Sequence, residues 1–179
     1  MYELEVKVPT PLEPVRETLE RLDGEFLGVV EQRDRYYDPP GQSFGDSDEA
    51  LRIREEDTPD GSRALLTYKG PRLDAAAKTR EEVETQVVDA PSMDEILRRS
   101  GFTPVATVEK SRERYRLADV TVVLDSVTDV GTFVEVEATA TGADRSAARE
   151  AVEAGIATLG LESEPQTTTS YLELLLENN

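Results

Sequence analysis

Apolar and polar residues alternate at every second position over most of the chain, the spacing of strands with one buried face. Residues 2–8 set Leu4, Val6 and Val8 against Glu3, Glu5 and Lys7. Pro9 and Pro11 end that strand, and Leu12, Val15, Leu19 and Leu22 then recur at helical intervals up to Gly24. A strand over 26–38 leads into the polar loop 39–48, of the kind that is mobile or closes over a site. Strands over 50–56 and 62–70 are joined by the turn Thr58-Pro59-Asp60-Gly61, and 71–77 reads as an exposed loop. A strand over 78–88, a helix over 92–101 and strands over 105–117, 120–127 and 131–140 follow. The end is helical, over 143–160 with Ala148, Val152, Ile156 and Leu159 in register, and again over 170–178.

The pattern repeats faintly. Glu3-Leu4-Glu5, a proline-bounded helix and the strand reaching Tyr36-Tyr37 are echoed by Glu82-Val83-Glu84, a helix and the strand reaching Tyr115. Each half then reads as a strand, a helix and three strands, with halves at 1–78 and 79–141 and C-terminal helices within 143–177. The expected fold is one α+β domain over 1–179, an antiparallel closed β-barrel of two similar half-sheets with helices packed outside.

Composition narrows the chemistry. The chain has no cysteine and no histidine, which removes disulfides, Cys/His zinc sites, cysteine nucleophiles and Ser-His dyads. Its formal charge is −18, and its 20 basic residues comprise sixteen arginines and only Lys7, Lys69, Lys78 and Lys110. An acidic, lysine-poor balance resembles that of proteins adapted to high salt, where mobile ions screen self-repulsion. Duplex nucleic acid is a disfavoured partner for such a chain. No apolar run is long enough for a membrane helix, and Met1–Val8 enters a charged strand rather than a signal peptide, so the expected location is cytoplasmic.

The polar faces of the strands depart from this acidity. Glu3, Glu5, Lys7, Arg52, Arg54, Lys69, Arg80, Glu82, Glu84, Lys110, Arg112, Arg114, Arg116, Asp125, Glu135 and Glu137 include nine basic and seven acidic residues. The remainder of the chain has 11 basic and 31 acidic. One reading is a set of solvated outer faces laced by cross-strand ion pairs. The other is a barrel lumen in which arginines and lysines hold a polyphosphate and carboxylates hold Mg²⁺ or Mn²⁺. Glutamates at i and i+2 point the same way, so Glu3/Glu5 and Glu135/Glu137 are expected as metal ligands from opposite walls. No glycine-rich phosphate loop is present.

An ordered series of motifs resembles the CYTH superfamily of class IV adenylyl cyclases and thiamine triphosphatases. The series runs from Glu3-Leu4-Glu5-Val6-Lys7 through Asp34-Arg35-Tyr36-Tyr37-Asp38, Leu51-Arg52-Ile53-Arg54, Leu66-Thr67-Tyr68-Lys69-Gly70-Pro71 and Arg80-Glu81-Glu82-Val83-Glu84. It continues through Glu109-Lys110-Ser111-Arg112, Leu124-Asp125, Phe133-Val134-Glu135-Val136-Glu137 and Ser170-Tyr171-Leu172-Glu173. The resemblance implies a triphosphate tunnel barrel. It implies a metal-binding set of Glu3, Glu5, Asp125, Glu135 and Glu137, a triphosphate grip of Lys7, Arg52, Arg54, Lys69, Lys110 and Arg112, and catalytic weight on Glu5, Glu135 and Lys7. Arg80, Glu82 and Glu84 match a family strand or pair with each other. Arg114 and Arg116 read as a salt-bridged strand end, Tyr36 and Tyr37 as core or rim packing, and Ser170 and Tyr171 as docking the last helix.

The motifs resemble the class IV adenylyl cyclase branch most closely, implying conversion of ATP to cyclic AMP and pyrophosphate with Mg²⁺ or Mn²⁺. Hydrolysis of an inorganic, thiamine or nucleoside triphosphate is the alternative, and a nucleotide- or polyphosphate-binding module without turnover is the third reading. The family often forms homodimers, and Tyr171–Leu176 offers an apolar helix face for that. The acid excess predicts that removing KCl lowers the melting temperature, and a salt-independent Tm would refute the adaptation to salt.

Overall fold

Among the described residues, eight strands and four helices form where the two periodicities place them. In a computed structural model, residues 2–71, 80–140 and 145–178 are described, without the side chains of Tyr2, Glu3 and Arg145. The order is β1 (Tyr2–Pro9), α1 (Leu12–Arg21), β2 (Glu25–Asp38), β3 (Ala50–Thr58), β4 (Gly61–Lys69), β5 (Arg80–Val87) and α2 (Ala90–Arg99). It continues with β6 (Thr103–Leu117), β7 (Val120–Val127), β8 (Gly131–Ala140), α3 (Arg145–Thr158) and α4 (Tyr171–Glu177). Strand, helix and three strands thus occur twice in succession. Apart from Pro71, the loop expected at 71–77 lies outside the described residues, as do Lys78 and Thr79.

The strands close into an antiparallel barrel in the order β1-β5-β4-β3-β2-β6-β7-β8. Each half keeps its own three-strand meander, but the leading strands are exchanged. The first strand of the chain, β1, pairs along its whole length with β8, and β5 pairs with β4. Among the described residues the β1–β5 seam holds two register pairs, and β2 and β6 are joined from Glu25/Arg116 to Asp38/Thr103.

The interior of this barrel is charged, and its hydrophobic cores lie mainly outside it. Leu4 and Val8 on β1, Val120, Val122 and Leu124 on β7, and Val134 and Val136 on β8 face Val15 and Leu19 of α1 and Ala148, Val152 and Ile156 of α3. A second outer cluster joins Tyr37 and Ile53 to Leu97 of α2. That helix is started by Asp89, whose carboxylate accepts the Ser92 backbone N–H at 2.9 Å. A third cluster seals one end of the barrel, where Tyr171, Leu172, Leu174 and Leu175 of α4 pack on Tyr36, Val108, Val127 and Phe133. The apolar face of α4, expected to serve a dimer, is therefore largely spent on its own barrel. No described helix is long and apolar enough to cross a membrane.

Helix α3 approaches the sheet closely at Gly155. A Cβ there would lie 3.0 Å from Val136 Cγ1 and 3.1 Å from Val120 Cγ2. Gly155→Leu is expected to cost about 1–3 kcal/mol by overpacking this contact, read as a lower urea midpoint.

Candidate active site in the barrel interior

The inward positions of β2, β3 and β6 converge on one carboxylate. Asp34 is fully buried and takes a bidentate pair from Arg54, Nε to Oδ1 at 2.6 Å and Nη2 to Oδ2 at 2.7 Å. Lys110 Nζ donates to Oδ2 at 2.9 Å, and Arg52 Nη1 reaches it at 3.3 Å. Burial alone would raise the Asp34 carboxyl, yet Arg52, Arg54 and Lys110 hold it well below the usual carboxylate range. Arg52 Nη1 also reaches the Tyr36 hydroxyl at 3.4 Å, while Arg52 Nε is a buried donor with no acceptor among the described residues. An orphaned guanidinium donor is a place where an anion fits.

A second cluster joins β1, β6, β7, β8 and the segment before α4. Arg112 donates to Asp125 at 2.8 and 2.6 Å and to Glu135 at 2.7 Å. Lys7 Nζ lies 3.1 Å from Glu135 and donates to the Thr169 carbonyl at 3.3 Å. It also sits 3.9 Å from the centre of the Tyr171 ring, whose hydroxyl donates to Asp125 at 2.7 Å. Burial would lower Lys7, but Glu135, Glu5 and Asp125 outweigh it and raise it, keeping the ammonium charged. Burial, Glu135 and Asp125 push the Tyr171 hydroxyl well up, so it remains a donor.

These clusters line a cavity of about 220 Å³. Of the expected anion grip, Lys7, Arg52, Arg54, Lys69, Lys110 and Arg112 all face it, as do Glu5, Glu82, Glu135 and Arg80. Lys69 pairs with Glu82 at 2.9 Å and Thr67 donates to Glu84 at 2.8 Å. Arg80 turns instead to Asp48 in the β2–β3 loop, at 2.7 Å, and fastens that loop beside the cavity. Arg114 and Arg116 are exposed, Arg116 pairing with Glu25 at the strand end.

Two expectations change. Glu5 and Glu137 lie directly opposite each other on adjacent strands, as do Lys7 and Glu135, so the glutamate pairs share one wall rather than facing across the lumen. The cause is the exchange of leading strands, which brings β1 beside β8. Tyr171 does more than dock a helix, since it ties Lys7 and Asp125 together inside the barrel. Asp34 was legible only as part of a motif, and Gln32 and Glu56, hydrogen-bonded at 2.6 Å in the interior, carried no signal beyond their alternation.

Among the described residues no group of three metal-binding side chains is gathered. Glu5 and Glu135 line the cavity, whereas Asp125 is held behind Arg112 and Tyr171. Two carboxylates suit Mg²⁺, which takes one or two and completes its shell with phosphate oxygens and water.

The CYTH domain family pattern matches residues 1–171. This chain belongs to the CYTH domain family. A Methanocaldococcus jannaschii protein named "putative adenylate cyclase" is 38% identical to this CYTH chain over 138 residues, covering 76% of it and 77% of the relative. A solved Pyrococcus horikoshii structure aligns with a TM-score of 0.89 at 38% identity, covering 99% of this chain and 100% of that one. A Hippeastrum protein, named a putative adenylyl cyclase that reveals a dominant triphosphatase activity, shares the fold with a TM-score of 0.71 at 19% identity, covering 99% and 96%. The barrel is thus the triphosphate tunnel fold of CYTH proteins.

Lys110 gives the CYTH cavity a titration near neutrality. Burial pushes its ammonium down to about 7, with Arg54, Arg112 and Arg52 adding to the effect and Asp34 opposing it. A bound polyanion favours the charged form, so binding takes up a proton and affinity falls as pH rises above about 7, by at most about tenfold per unit. Tripolyphosphate titrations across this range should show that extra pH dependence in the wild type and lose it in Lys110→Arg, which stays charged.

Proposed function

We propose that this protein is a metal-dependent enzyme acting on a triphosphate held in the barrel, and that it is an adenylyl cyclase converting ATP to cyclic AMP and pyrophosphate. The observation that carries the reading is the buried Arg52 Nε, without an acceptor among the described residues and set with Arg54, Lys69 and Lys110 in one cavity of an otherwise acidic chain. Similarity to the M. jannaschii relative favours the cyclase. The Hippeastrum protein keeps hydrolysis as a second reading, because in that protein the same fold supports a dominant triphosphatase activity.

In the cyclase the ribose 3′-OH attacks the α-phosphorus and pyrophosphate leaves, whereas in the hydrolase water attacks the terminal phosphorus. Arg52, Arg54, Lys69 and Lys110 grip the phosphate oxygens and neutralise charge that grows on them. Arg112 and Lys7 hold Glu135 in place, and Glu5 and Glu135 are the carboxylates that would hold a divalent cation. When bound there, such a cation would supply Lewis acidity and a lowered pKa for the attacking hydroxyl or water. With no histidine in the chain, the groups lining the cavity that could accept this proton are carboxylates and, above about pH 7, the neutral amine of Lys110.

Phosphorus NMR of ATP incubated with the protein and Mg²⁺ or Mn²⁺, at high and low KCl, tests the reading. Cyclic AMP with pyrophosphate is the expected product, ADP with orthophosphate would establish hydrolysis, and unchanged ATP would refute both for this substrate. Glu5→Gln and Glu135→Gln should abolish metal-dependent turnover. Arg54→Ala should weaken triphosphate binding by roughly 1.5–3 kcal/mol, and unchanged affinity would move the anion site elsewhere.

A further inference from the structure

The barrel has a second cavity that the proposed reaction leaves unused. It measures about 690 Å³ and lies toward the β3–β4 turn, with no residue of the β2–β3 loop in its lining. Glu31, Glu55, Glu56, Asp57, Asp89 and Glu109 line it, against the cations Arg33, Arg63 and Lys110. Each of these cations is already paired. Arg63 Nε donates to Glu56 Oε2 at 2.6 Å, Arg33 Nε lies 3.3 Å from Glu109, and Lys110 Nζ donates to Asp34. The lining therefore keeps an excess of negative charge, which in a chain with 38 acidic residues is not by itself a site.

Gln32 sets this cavity apart from the rest of the acidic surface. It is 7% exposed and lines this cavity but not the first. Its amide nitrogen donates to Glu56 Oε1 at 2.6 Å, which fixes the amide, because the flipped form would set oxygen against oxygen. Gln32 Oε1 is then a buried acceptor with no donor among the described residues. Leaving such an acceptor dry costs free energy that a bound N–H donor would return.

The donor set argues against a metal ion. Both oxygens of Glu56 are engaged, and no group of three metal-binding side chains is gathered among the described residues. The carboxylates are instead spread over β2, β3, β6 and the segment before α2. Val88, which is fully exposed, adds apolar surface to the same lining together with Pro91. Separated ammonium groups joined by methylenes match that mixture of an orphaned acceptor, dispersed carboxylates and apolar surface.

We infer that this second cavity binds an aliphatic polyamine, with one ammonium donating to Gln32 Oε1, the others meeting the surrounding carboxylates, and the methylenes lying against Val88. Such a site stands whether or not the first cavity holds a triphosphate.

The test is calorimetric titration of spermidine into the full chain in about 0.5 M KCl, which screens diffuse attraction. Hexaamminecobalt(III), a compact cation of similar charge without methylenes, is titrated in parallel. One saturable spermidine site is expected, with hexaamminecobalt(III) at least about tenfold weaker. Gln32→Leu should weaken spermidine about tenfold, the scale of a lost charge-assisted hydrogen bond. Val88→Ser and Glu109→Gln, both at exposed positions, should each weaken it about threefold, whereas Glu162→Gln, exposed and outside both cavities, should not change it. If Gln32→Leu does not fold, the two exposed variants decide on the same terms. Absent spermidine binding, equal affinity for the two cations, unchanged affinity in Gln32→Leu or Val88→Ser, or an equal loss in Glu162→Gln would overturn the site.

Discussion

Arg52, Arg54 and Lys110, carried by two strands, share the single carboxylate of a third, and the interior of the barrel is organised around that imbalance. Buried charges are tolerated only when paired, and each cation at Asp34 lowers the cost of keeping the carboxylate ionised there. One carboxylate cannot satisfy three cations fully. The shortfall appears as the missing acceptor at Arg52 Nε and as the depressed ammonium of Lys110. An anion in the cavity would supply both needs.

Keeping so many ions inside a small barrel displaces the hydrophobic work to its outer surface. Helices α1 and α3 cover β1, β7 and β8, α2 covers part of β2 and β3, and α4 closes one end. The lumen can then vary in charge without disturbing the packing that holds the fold. Tyr171 is where the two layers meet, with its ring against Phe133 and its hydroxyl on Asp125.

Which residues face inward was legible because period-two spacing is local. Alternation placed Lys7, Arg52, Arg54, Lys69, Lys110 and Arg112 on polar strand faces together with the exposed Arg114 and Arg116, and the resemblance of the motif series then singled out those six. Neighbour relations across the sheet were less accessible. Nothing near Glu5 or Glu137 in the chain says that they sit opposite each other, since that depends on β1 leaving its own half for β8. Asp34 stands in a stretch, Asp34-Arg35-Tyr36-Tyr37-Asp38, where polar and aromatic residues occupy both faces. Its central place emerges only when β3 and β6 bring their cations to it. Tyr171 was hidden for the opposite reason, because as the first residue of a leucine-rich helix it reads as packing.

The exchange of leading strands governs how the chain can reach this state. Strand β1 is made first, yet its long partner β8 closes the sequence of strands, and β5 must join a meander already formed by β2, β3 and β4. A ribosome releasing the first half therefore exposes a strand with one apolar face whose full-length partner follows only when nearly all of the barrel has emerged. Despite the repeat, each half has its leading strand paired with the meander of the other. Assembly depends on contacts between distant parts of the chain, the circumstance in which folding is slow and a premature stop leaves an adhesive edge.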